Sequence, residues 1–210
     1  MSETNVSVNA ELRDVAEEVA EQQLAAAARA EVLLDVEDLS VTLFTEDGAL
    51  PAIRNLSLVM RRGETLAVVG ESGCGKSTTG KCVLRLTEPT AGTVTLDGED
   101  FTALSGEDLT RARQKMKLIF QDPYSSLNPR MTVADIIAEP IDIAGTYKTR
   151  AERDARVEKI MQAVGLDLAF KYRYPHEFSG GQRQRIGIAR AIVLKPEVVV
   201  CDEPVSALDV

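Results

Sequence analysis

A glycine-rich stretch at residues 70–78 has the residue types and the spacing that hold a phosphate chain. Its letters, GESGCGKST, match the pattern G-x-x-x-x-G-K-[ST] at every fixed position. Glycines let the backbone turn so that consecutive N–H groups point at phosphate oxygens, and a helix that begins in the loop adds its positive end. Lys76 is predicted to reach the outer phosphates, and the Ser77 hydroxyl to bind Mg²⁺. The stretch therefore predicts a nucleoside triphosphate site.

Two elements must position this loop. An apolar run at residues 66–69 precedes it, and good helix formers follow at residues 81–86. We expect a buried parallel strand before the loop and a helix after it, which is the context that the motif requires. The residues predicted to contact the nucleotide here are Gly70, Ser72, Gly73, Cys74, Gly75, Lys76, Ser77 and Thr78.

Two further segments carry groups suited to phosphate chemistry. A helix is predicted to begin near Gly180, so the backbone amides there and the Ser179 hydroxyl form a second anion site. Residues 198–201 predict a buried strand that delivers Asp202 and Glu203 at its carboxyl end, where open α/β sheets bind ligands. Gln121 follows another apolar strand, predicted at residues 117–120.

The rest of the chain supplies the elements around these groups. Strands are predicted at residues 32–44, 56–60 and 93–96, with a turn through Asp47 and Gly48, and a polar helix at 106–114. Thr132 and Thr149 are predicted to cap two helices, the first of them disturbed by Pro140. These helices indicate a helical subdomain at about residues 130–180. Residues 1–31 are interpreted as an acidic, solvated tail, with a helix that docks on a partner as the alternative.

Composition excludes several classes of protein. The net charge of −9 lies almost entirely in residues 1–38, which hold ten acids against two arginines, so the remainder is nearly neutral. With no basic stripe, nucleic acid is not expected as a partner. The sequence has no run of about 18 apolar residues, no secretory signal and no C-x-x-C spacing, which favours a cytosolic protein.

Taken together, these motifs resemble the ATP-binding subunits of ABC transporters, and most closely the oligopeptide/dipeptide importer branch. The resemblance runs from residue 32 to residue 210. Nickel, glutathione and antimicrobial-peptide transporters share these motif sequences. It implies an α/β fold: a P-loop NTPase (RecA-like) core with an N-terminal antiparallel β region and an inserted α-helical subdomain. On this basis the chain divides into a tail at 1–31 and an ATP-binding domain at 32–210.

The resemblance also implies roles for single residues. Lys76 and the loop amides would hold the phosphates of ATP, and Glu203 would be the general base that activates the attacking water. Ser77 would bind Mg²⁺, and Asp202 would hold it mostly through water. Gln121 would contact either Mg²⁺ or the attacking water and sense the membrane partner. Residues 206–209 resemble the D-loop at the dimer interface. The signature motif, which caps the γ-phosphate of ATP held by the opposite subunit, would be Ser179, Gly180, Gly181 and Gln182.

Two aromatic or imidazole residues are placed by weaker signals. Phe44 is the candidate for stacking on adenine. Residues 47–50 resemble an insertion, which makes the alignment of this region with the family ambiguous. His176, the one histidine of the chain, does not occupy the family's switch position and is interpreted as structural.

The family implies partners and a location. These are a second, identical or different, ABC ATP-binding subunit and membrane permease subunits, which would contact the groove near Gln121; a solute-binding protein is an indirect partner. The expected place is the cytoplasmic face of the cell membrane, and the expected activity is ATP hydrolysis that drives transport. The alternatives are a soluble ABC ATPase acting on DNA or ribosomes, and a non-hydrolysing module that regulates a full subunit.

One departure from the family concerns the end of the sequence. The family continues beyond the D-loop with another strand and a switch histidine, whereas this sequence stops at Val210. We therefore expect the fold to be incomplete at its C-terminus. The 210-residue piece is expected to bind ATP weakly and to hydrolyse it poorly, because one preorganised polar group contributes about 10²–10³ in rate.

Overall fold

The structure is a computed structural model that describes residues 31–45, 48–122 and 126–203. Several predictions fall outside the described residues: the tail up to residue 30, Asp47 of the predicted turn, and the D-loop at residues 206–209. Among the described residues, no helix is long and apolar enough to cross a membrane.

An antiparallel sheet forms the N-terminal part of the described chain. Its strands are β1 (Val32–Thr45), β2 (Gly48–Arg61), β3 (Ala91–Leu96) and β4 (Glu99–Asp100), in the spatial order β2-β1-β3-β4. The predicted strands at 32–44 and 93–96 are confirmed. β2 begins eight residues earlier than predicted, because it pairs with β1 along nearly its whole length. The short β4 was not predicted.

A bulge keeps the apolar side of β1 facing the core. Leu34 and Val36 are buried at the alternate positions of a strand, and Leu39 and Val41 are buried one step out of that phase. The shift falls at Asp38, whose φ is 49° and whose backbone N–H donates to Ser57 Oγ at 2.9 Å. The extra residue of a bulge thus returns the following side chains to the buried face.

The described residues include five α-helices. They are α1 (Lys76–Val83), α2 (Gly106–Lys115), α3 (Val133–Ala144), α4 (Arg150–Ala163) and α5 (Gly180–Ile192), with 3₁₀ turns at Leu168–Phe170 and Pro175–Glu177. The predicted caps are confirmed, since the side chains of Thr132 and Thr149 accept from the amides of Asp135 and Glu152. α3 continues through Pro140 to Ala144, because full burial of Ile136, Ile137 and Ile141 outweighs the lost hydrogen bond.

A pair of parallel strands lies beside the helices. β5 (Met116–Ile119) and β6 (Val198–Cys201) are hydrogen-bonded in register from Met116 opposite Val198 to Ile119 opposite Cys201. Both strands were predicted, but β6 was expected to be buried throughout. In the structure Val198 is buried, while Val199 and Cys201 are exposed, so one face of β6 is open.

The prediction of a buried strand at residues 66–69 is wrong. These residues have no regular secondary structure, and Leu66, Val68 and Val69 are 41%, 50% and 90% exposed. The physical reason is that a strand needs a neighbour to pair its backbone groups. Here a cleft of about 460 Å³ separates the segment from β6, and both line it. No described strand pairs with residues 66–69.

Two hydrophobic cores hold these elements together. The first packs the antiparallel sheet against α1, α2 and the parallel pair, around Val36, Phe101 and Met116. The second packs α3, α4 and α5 around Ile137 and Met161. We call the part built from α3, α4 and α5 the helical half, and the part built from the strands, α1 and α2 the sheet half. α5 also contacts β5, so it connects the two halves.

Candidate functional site

The glycine-rich loop wraps tightly around the start of α1. Gly73 and Gly75 have φ of 81° and 98°, which side chains other than glycine rarely adopt. A Cβ at Gly75 would lie 2.9 Å from the carbonyl oxygen of Ala52 on β2, so the loop also fits closely against the sheet. Both the turn and the close approach require glycine here.

Lys76 occupies the centre of the loop. Its Nζ donates to the carbonyl oxygens of Gly70 at 2.9 Å and Glu71 at 2.7 Å, and lies 3.9 Å from the Sγ of Cys74. Cys74 is a free, exposed thiol. The lysine charge is therefore held at the mouth of the loop by neutral acceptors, which anionic phosphate oxygens would outcompete.

Ser77 and Asp202 meet across 125 residues of sequence. Ser77 Oγ donates to Asp202 Oδ1 at 2.8 Å. α1 positions the serine, and β6 positions the aspartate, whose backbone N–H donates to Ile119 O on β5 at 3.0 Å. The hydroxyl and the carboxylate are hard oxygen ligands of the kind that Mg²⁺ prefers. The predicted proximity of these two residues is thus present.

Gln121 and Glu203 form the neighbouring contact. Gln121 Nε2 donates to Glu203 Oε2 at 2.6 Å. Each residue follows one of the two parallel strands, so the pairing of β5 with β6 brings them together. Glu203 has a φ of 47°, a left-handed backbone conformation that non-glycine residues adopt mainly where the surroundings impose it.

The cleft beside β6 joins these contacts into one site. Lys76, Ser77, Asp202 and Glu203 all line it. Lys76, two of the side chains predicted to bind Mg²⁺ and the predicted general base therefore open into the same space.

Residues 179–182 lie elsewhere. Ser179 caps α5, accepting from Gln182 N at 3.3 Å and donating its own N–H to Gln182 Oε1 at 3.0 Å. A side chain at Gly180 would meet no atom within 4 Å, so this end of the helix faces open space. Residues 179–182 do not line the cleft that holds Lys76 and Asp202. Within one chain the described residues thus place the two predicted anion sites apart.

Comparison with known proteins identifies the family. Residues 53–206 match the family described as ABC transporter. This range includes the loop at 70–78, Gln121, residues 179–182 and the acid pair, and it is well over half of the chain. The chain belongs to the ABC transporter family.

Similar members of the family are named as peptide transport proteins. Over 181 residues the chain is 54% identical to the oligopeptide transport ATP-binding protein OppF of Bacillus subtilis (strain 168), covering 86% of this chain and 59% of the relative. It is 50% identical over 181 residues to the dipeptide transport ATP-binding protein DppF of Lactococcus lactis subsp. cremoris (strain MG1363), covering 85% of this chain and 58% of the relative. The chain thus spans less than two thirds of the length of these relatives.

Solved structures of ABC cassettes share the fold. The dimeric structure of MJ0796, a bacterial ABC transporter cassette, matches with a TM-score of 0.77 at 29% identity, covering 84% of this chain and 76% of that chain. The dimeric post-hydrolysis state of the same cassette, bound to ADP and Pi, matches with a TM-score of 0.78. The predicted fold class of a P-loop NTPase with antiparallel and helical additions is confirmed.

Two predicted residues of this ABC transporter chain remain outside the contacts described above. Phe44, at the end of β1 opposite Ala49, is 83% exposed, so its ring is accessible for stacking, and its role stays a prediction. His176 lies in the 3₁₀ turn before α5 with its ring stacked on Tyr174 at 5.9 Å, and its carbonyl oxygen accepts from Arg183. These contacts fit the structural role that was predicted for it.

Sequence reasoning overlooked a group of cations beside the site. Arg113, Lys117 and Arg190 line a second cleft between the sheet half and the helical half. The signal available was Lys117, a charged residue inside an otherwise apolar strand. The other two residues carry no sequence signal of their own, because only the fold brings them together.

Proposed function

We propose that this chain is the ATP-binding and ATP-hydrolysing part of an ABC transporter subunit that drives the import of peptides. The observation that carries the proposal is the convergence of two contacts, Ser77 with Asp202 and Gln121 with Glu203, at the mouth of the loop. Phosphoryl transfer depends mainly on positioning and on neutralisation of charge, and this arrangement supplies both.

The residues present fit a magnesium-bound triphosphate. Lys76 would exchange the carbonyl oxygens of Gly70 and Glu71 for phosphate oxygens, while the loop amides donate to the same chain. Ser77, Asp202 and the side-chain oxygen of Gln121 would hold Mg²⁺, which neutralises charge on the phosphates. Glu203 would accept the proton of the attacking water.

Hydrolysis would require two copies of the domain, or this domain and a related one. The start of α5 carries a hydroxyl and helix amides but lies outside the cleft of its own chain. A head-to-tail dimer would place this end over the γ-phosphate held by the other subunit. The dimeric form of the structural neighbour supports this arrangement.

The names of the relatives supply the proposed cargo. Relatives that are 54% and 50% identical are named for oligopeptide and dipeptide transport. We place the protein at the cytoplasmic face of the cell membrane, bound to permease subunits that receive peptides from a solute-binding protein.

The enzymatic part of the proposal is tested with a single carboxylate. Glu203→Gln in the intact protein, assembled with its membrane subunits, should lower ATP hydrolysis at least about 100-fold, because the general base is lost. Binding of a fluorescent ATP analogue should be unchanged. Glu99→Gln, at an exposed carboxylate on β4, is the matched control and should retain wild-type hydrolysis. Hydrolysis by the Glu203→Gln protein at the wild-type rate would refute the assignment.

The transport part is tested in cells. A strain that lacks the gene should lose uptake of radiolabelled di- or oligopeptides, and the wild-type gene should restore uptake whereas the Glu203→Gln gene should not. Normal peptide uptake in the deletion strain, with loss of uptake of another solute, would reassign the cargo while keeping the ATPase.

A further inference from the structure

Gly80 stands in the middle of α1, where glycine is an unfavourable residue. α1 runs from Lys76 to Val83, and Gly80 is not among the glycines with a positive φ, so its backbone conformation suits an ordinary side chain. Glycine inside a helix destabilises it relative to alanine, because more conformational freedom is lost on folding. The reason for glycine at this position must therefore lie in packing.

β6 passes close to α1 at Gly80. A Cβ built on Gly80 would lie 3.0 Å from Cγ1 of Val200, and apart from its chain neighbours and the backbone of α1 no other described atom would come within 4 Å. Carbon atoms pack best at about 3.5–4.0 Å, so a methyl group here would push the helix and the strand apart by a few tenths of an ångström. The missing side chain thus sets the spacing between α1 and β6.

Val200 cannot easily turn its methyl group away from α1. Its side chain is branched at Cβ, which restricts χ1, and it packs against the first hydrophobic core. β6 is also paired in register with β5, from Met116 opposite Val198 to Ile119 opposite Cys201. Filling the contact is therefore expected to displace the strand as a unit.

The close approach at Gly80 lies beside the hydrogen bond between Ser77 and Asp202. Ser77 and Gly80 are three residues apart, a spacing that places them on one face of a helix. Val200 and Asp202 are two residues apart, a spacing that places them on one side of a strand. All four residues line the cleft of the nucleotide site. The spacing at Gly80 therefore also sets the distance between Ser77 Oγ and Asp202 Oδ1, which is 2.8 Å.

The separation of Ser77 from Asp202 matters for the cation that the site is proposed to hold. The Ser77 hydroxyl donates its hydrogen to the carboxylate, so its lone pairs remain for a cation and the carboxylate fixes their direction. Mg²⁺ requires near-ideal octahedral geometry with oxygens at about 2.0–2.1 Å, whereas Ca²⁺ accepts flexible geometry at about 2.3–2.6 Å. A wider separation should therefore weaken Mg²⁺ binding more than Ca²⁺ binding.

We propose that Gly80 is a positioning residue, whose missing side chain holds α1 against β6 at the spacing that Mg²⁺ needs and so makes the nucleotide site selective for Mg²⁺ over Ca²⁺. The inference rests on the proposed function and specifies how its metal is selected. Gly80 supplies no ligand of its own and acts through Ser77 and Asp202.

Gly80→Ala in the intact protein is the direct test. The Mg²⁺ concentration that half-saturates binding of a fluorescent ATP analogue should rise about tenfold, as is typical when residues that orient metal ligands are changed. The half-saturating Ca²⁺ concentration should change less than about twofold, because Ca²⁺ tolerates altered geometry. Binding of the analogue without a divalent cation should be unchanged, since Lys76 keeps its place in the loop. Equilibrium titration measures all three.

Gly187→Ala is the matched control. Gly187 lies inside α5, and a Cβ there would have no packing partner within 4 Å. The substitution brings the same gain in helix propensity without a close contact, so it should raise the melting temperature and leave the ratio of Mg²⁺ to Ca²⁺ affinity at its wild-type value. An equal loss of Mg²⁺ affinity in Gly187→Ala would assign the effect to helix propensity and overturn the proposal.

A second substitution, on the strand, separates spacing from a general structural role. Gly80→Ala combined with Val200→Ala removes the atom that the new methyl group would meet, so Mg²⁺ affinity should return to within about twofold of that of Val200→Ala alone. A loss that persists in the double variant would contradict the proposal. So would a wild-type ratio of Mg²⁺ to Ca²⁺ affinity in Gly80→Ala.

These outcomes are distinct from a failure of the proposed function. If the wild-type protein binds the ATP analogue no more tightly with Mg²⁺ than without it, the proposed function fails. If the wild type requires Mg²⁺ and Gly80→Ala keeps the wild-type ratio, the inference about Gly80 alone fails.

Discussion

The helical half and the sheet half of this molecule differ in how completely each is closed. In the helical half, Ile137, Ile141 and Met161 have no exposed surface. In the sheet half, Val68 is 50% exposed and Val199 on β6 is 38% exposed, on either side of the cleft that holds the site. The helical half thus has a closed apolar core, whereas the sheet half leaves an apolar face open beside the site.

The two halves also differ in how far apart in sequence their contacting polar residues lie. In the sheet half, residues far apart in sequence already contact one another, as Ser77 does Asp202. In the helical half, the polar groups of Ser179 and Gln182 satisfy each other within one helix turn. In the helical half, contacts between residues close in sequence thus form the predicted anion site, which faces away from a closed core. In the sheet half, contacts between residues far apart in sequence form the nucleotide site, which lies beside an open core.

The largest effect that tests this comparison is on stability. Ile137→Ala should lower the free energy of unfolding by about 2–5 kcal/mol, because it leaves a cavity in a fully packed core. Val69→Ala removes two methyl groups from an exposed side chain and should change the free energy of unfolding by less than about 0.5 kcal/mol. Urea denaturation of the intact protein, followed by circular dichroism, measures both. Equal losses would show that residues 66–69 are packed in solution.

The next effect concerns nucleotide binding. Lys76→Ala should raise the Kd for MgATP about 10–100-fold, since a hydrogen bond to a charged group contributes about 1.5–3 kcal/mol. Ser179→Ala should leave that Kd unchanged in the monomer, because this residue lies outside the cleft of its own chain. Equilibrium titration with a fluorescent ATP analogue at low protein concentration compares them. Weaker binding by monomeric Ser179→Ala would contradict the separation of the two anion sites.

The parts of the molecule that sequence predicts well are those set by local chemistry. The loop glycines, the threonine caps of α3 and α4 and the start of α5 each depend on a few adjacent residues. The site residues Lys76, Ser77 and Asp202 were found because their motifs encode a strand, a turn or a helix end. Their mutual contact followed from the family resemblance, and the structure supplies its geometry.

The parts that sequence did not predict depend on neighbours. Residues 66–69 have the composition of a buried strand, yet strand formation requires a partner that no described strand provides. Pro140 favours a helix end, and packing of Ile141 overrides it. Arg113 and Arg190 line the same cleft between the two halves although they lie more than 70 residues apart in the sequence, and no local pattern reports such proximity.

The smallest effect contrasts an ion-pair cluster of the helical half with a surface pair of the sheet half. Arg153 binds Asp142 through two parallel hydrogen bonds, Nε to Oδ1 at 2.7 Å and Nη2 to Oδ2 at 2.8 Å, and its side chain is 13% exposed. Arg111 pairs with Asp108 where the two side chains are 72% and 64% exposed. Arg153→Met should cost about 1 kcal/mol at neutral pH, and Arg111→Met close to nothing, because solvent screens exposed pairs.

The stability lost in Arg153→Met should depend on pH. Hydrogen bonding to Arg153 lowers the pKa of Asp142, so the carboxylate is stabilised in the folded protein. Its contribution is complete above the unfolded-state pKa of about 3.9 and is lost as the pH falls through the lower pKa of the folded state. The stability difference between wild type and Arg153→Met should therefore be constant from neutral pH to about pH 5 and shrink below about pH 4. Urea denaturation at several pH values measures it, and a difference that persists undiminished at pH 2 would mean that Arg153 stabilises the helical half through packing of its aliphatic stem instead.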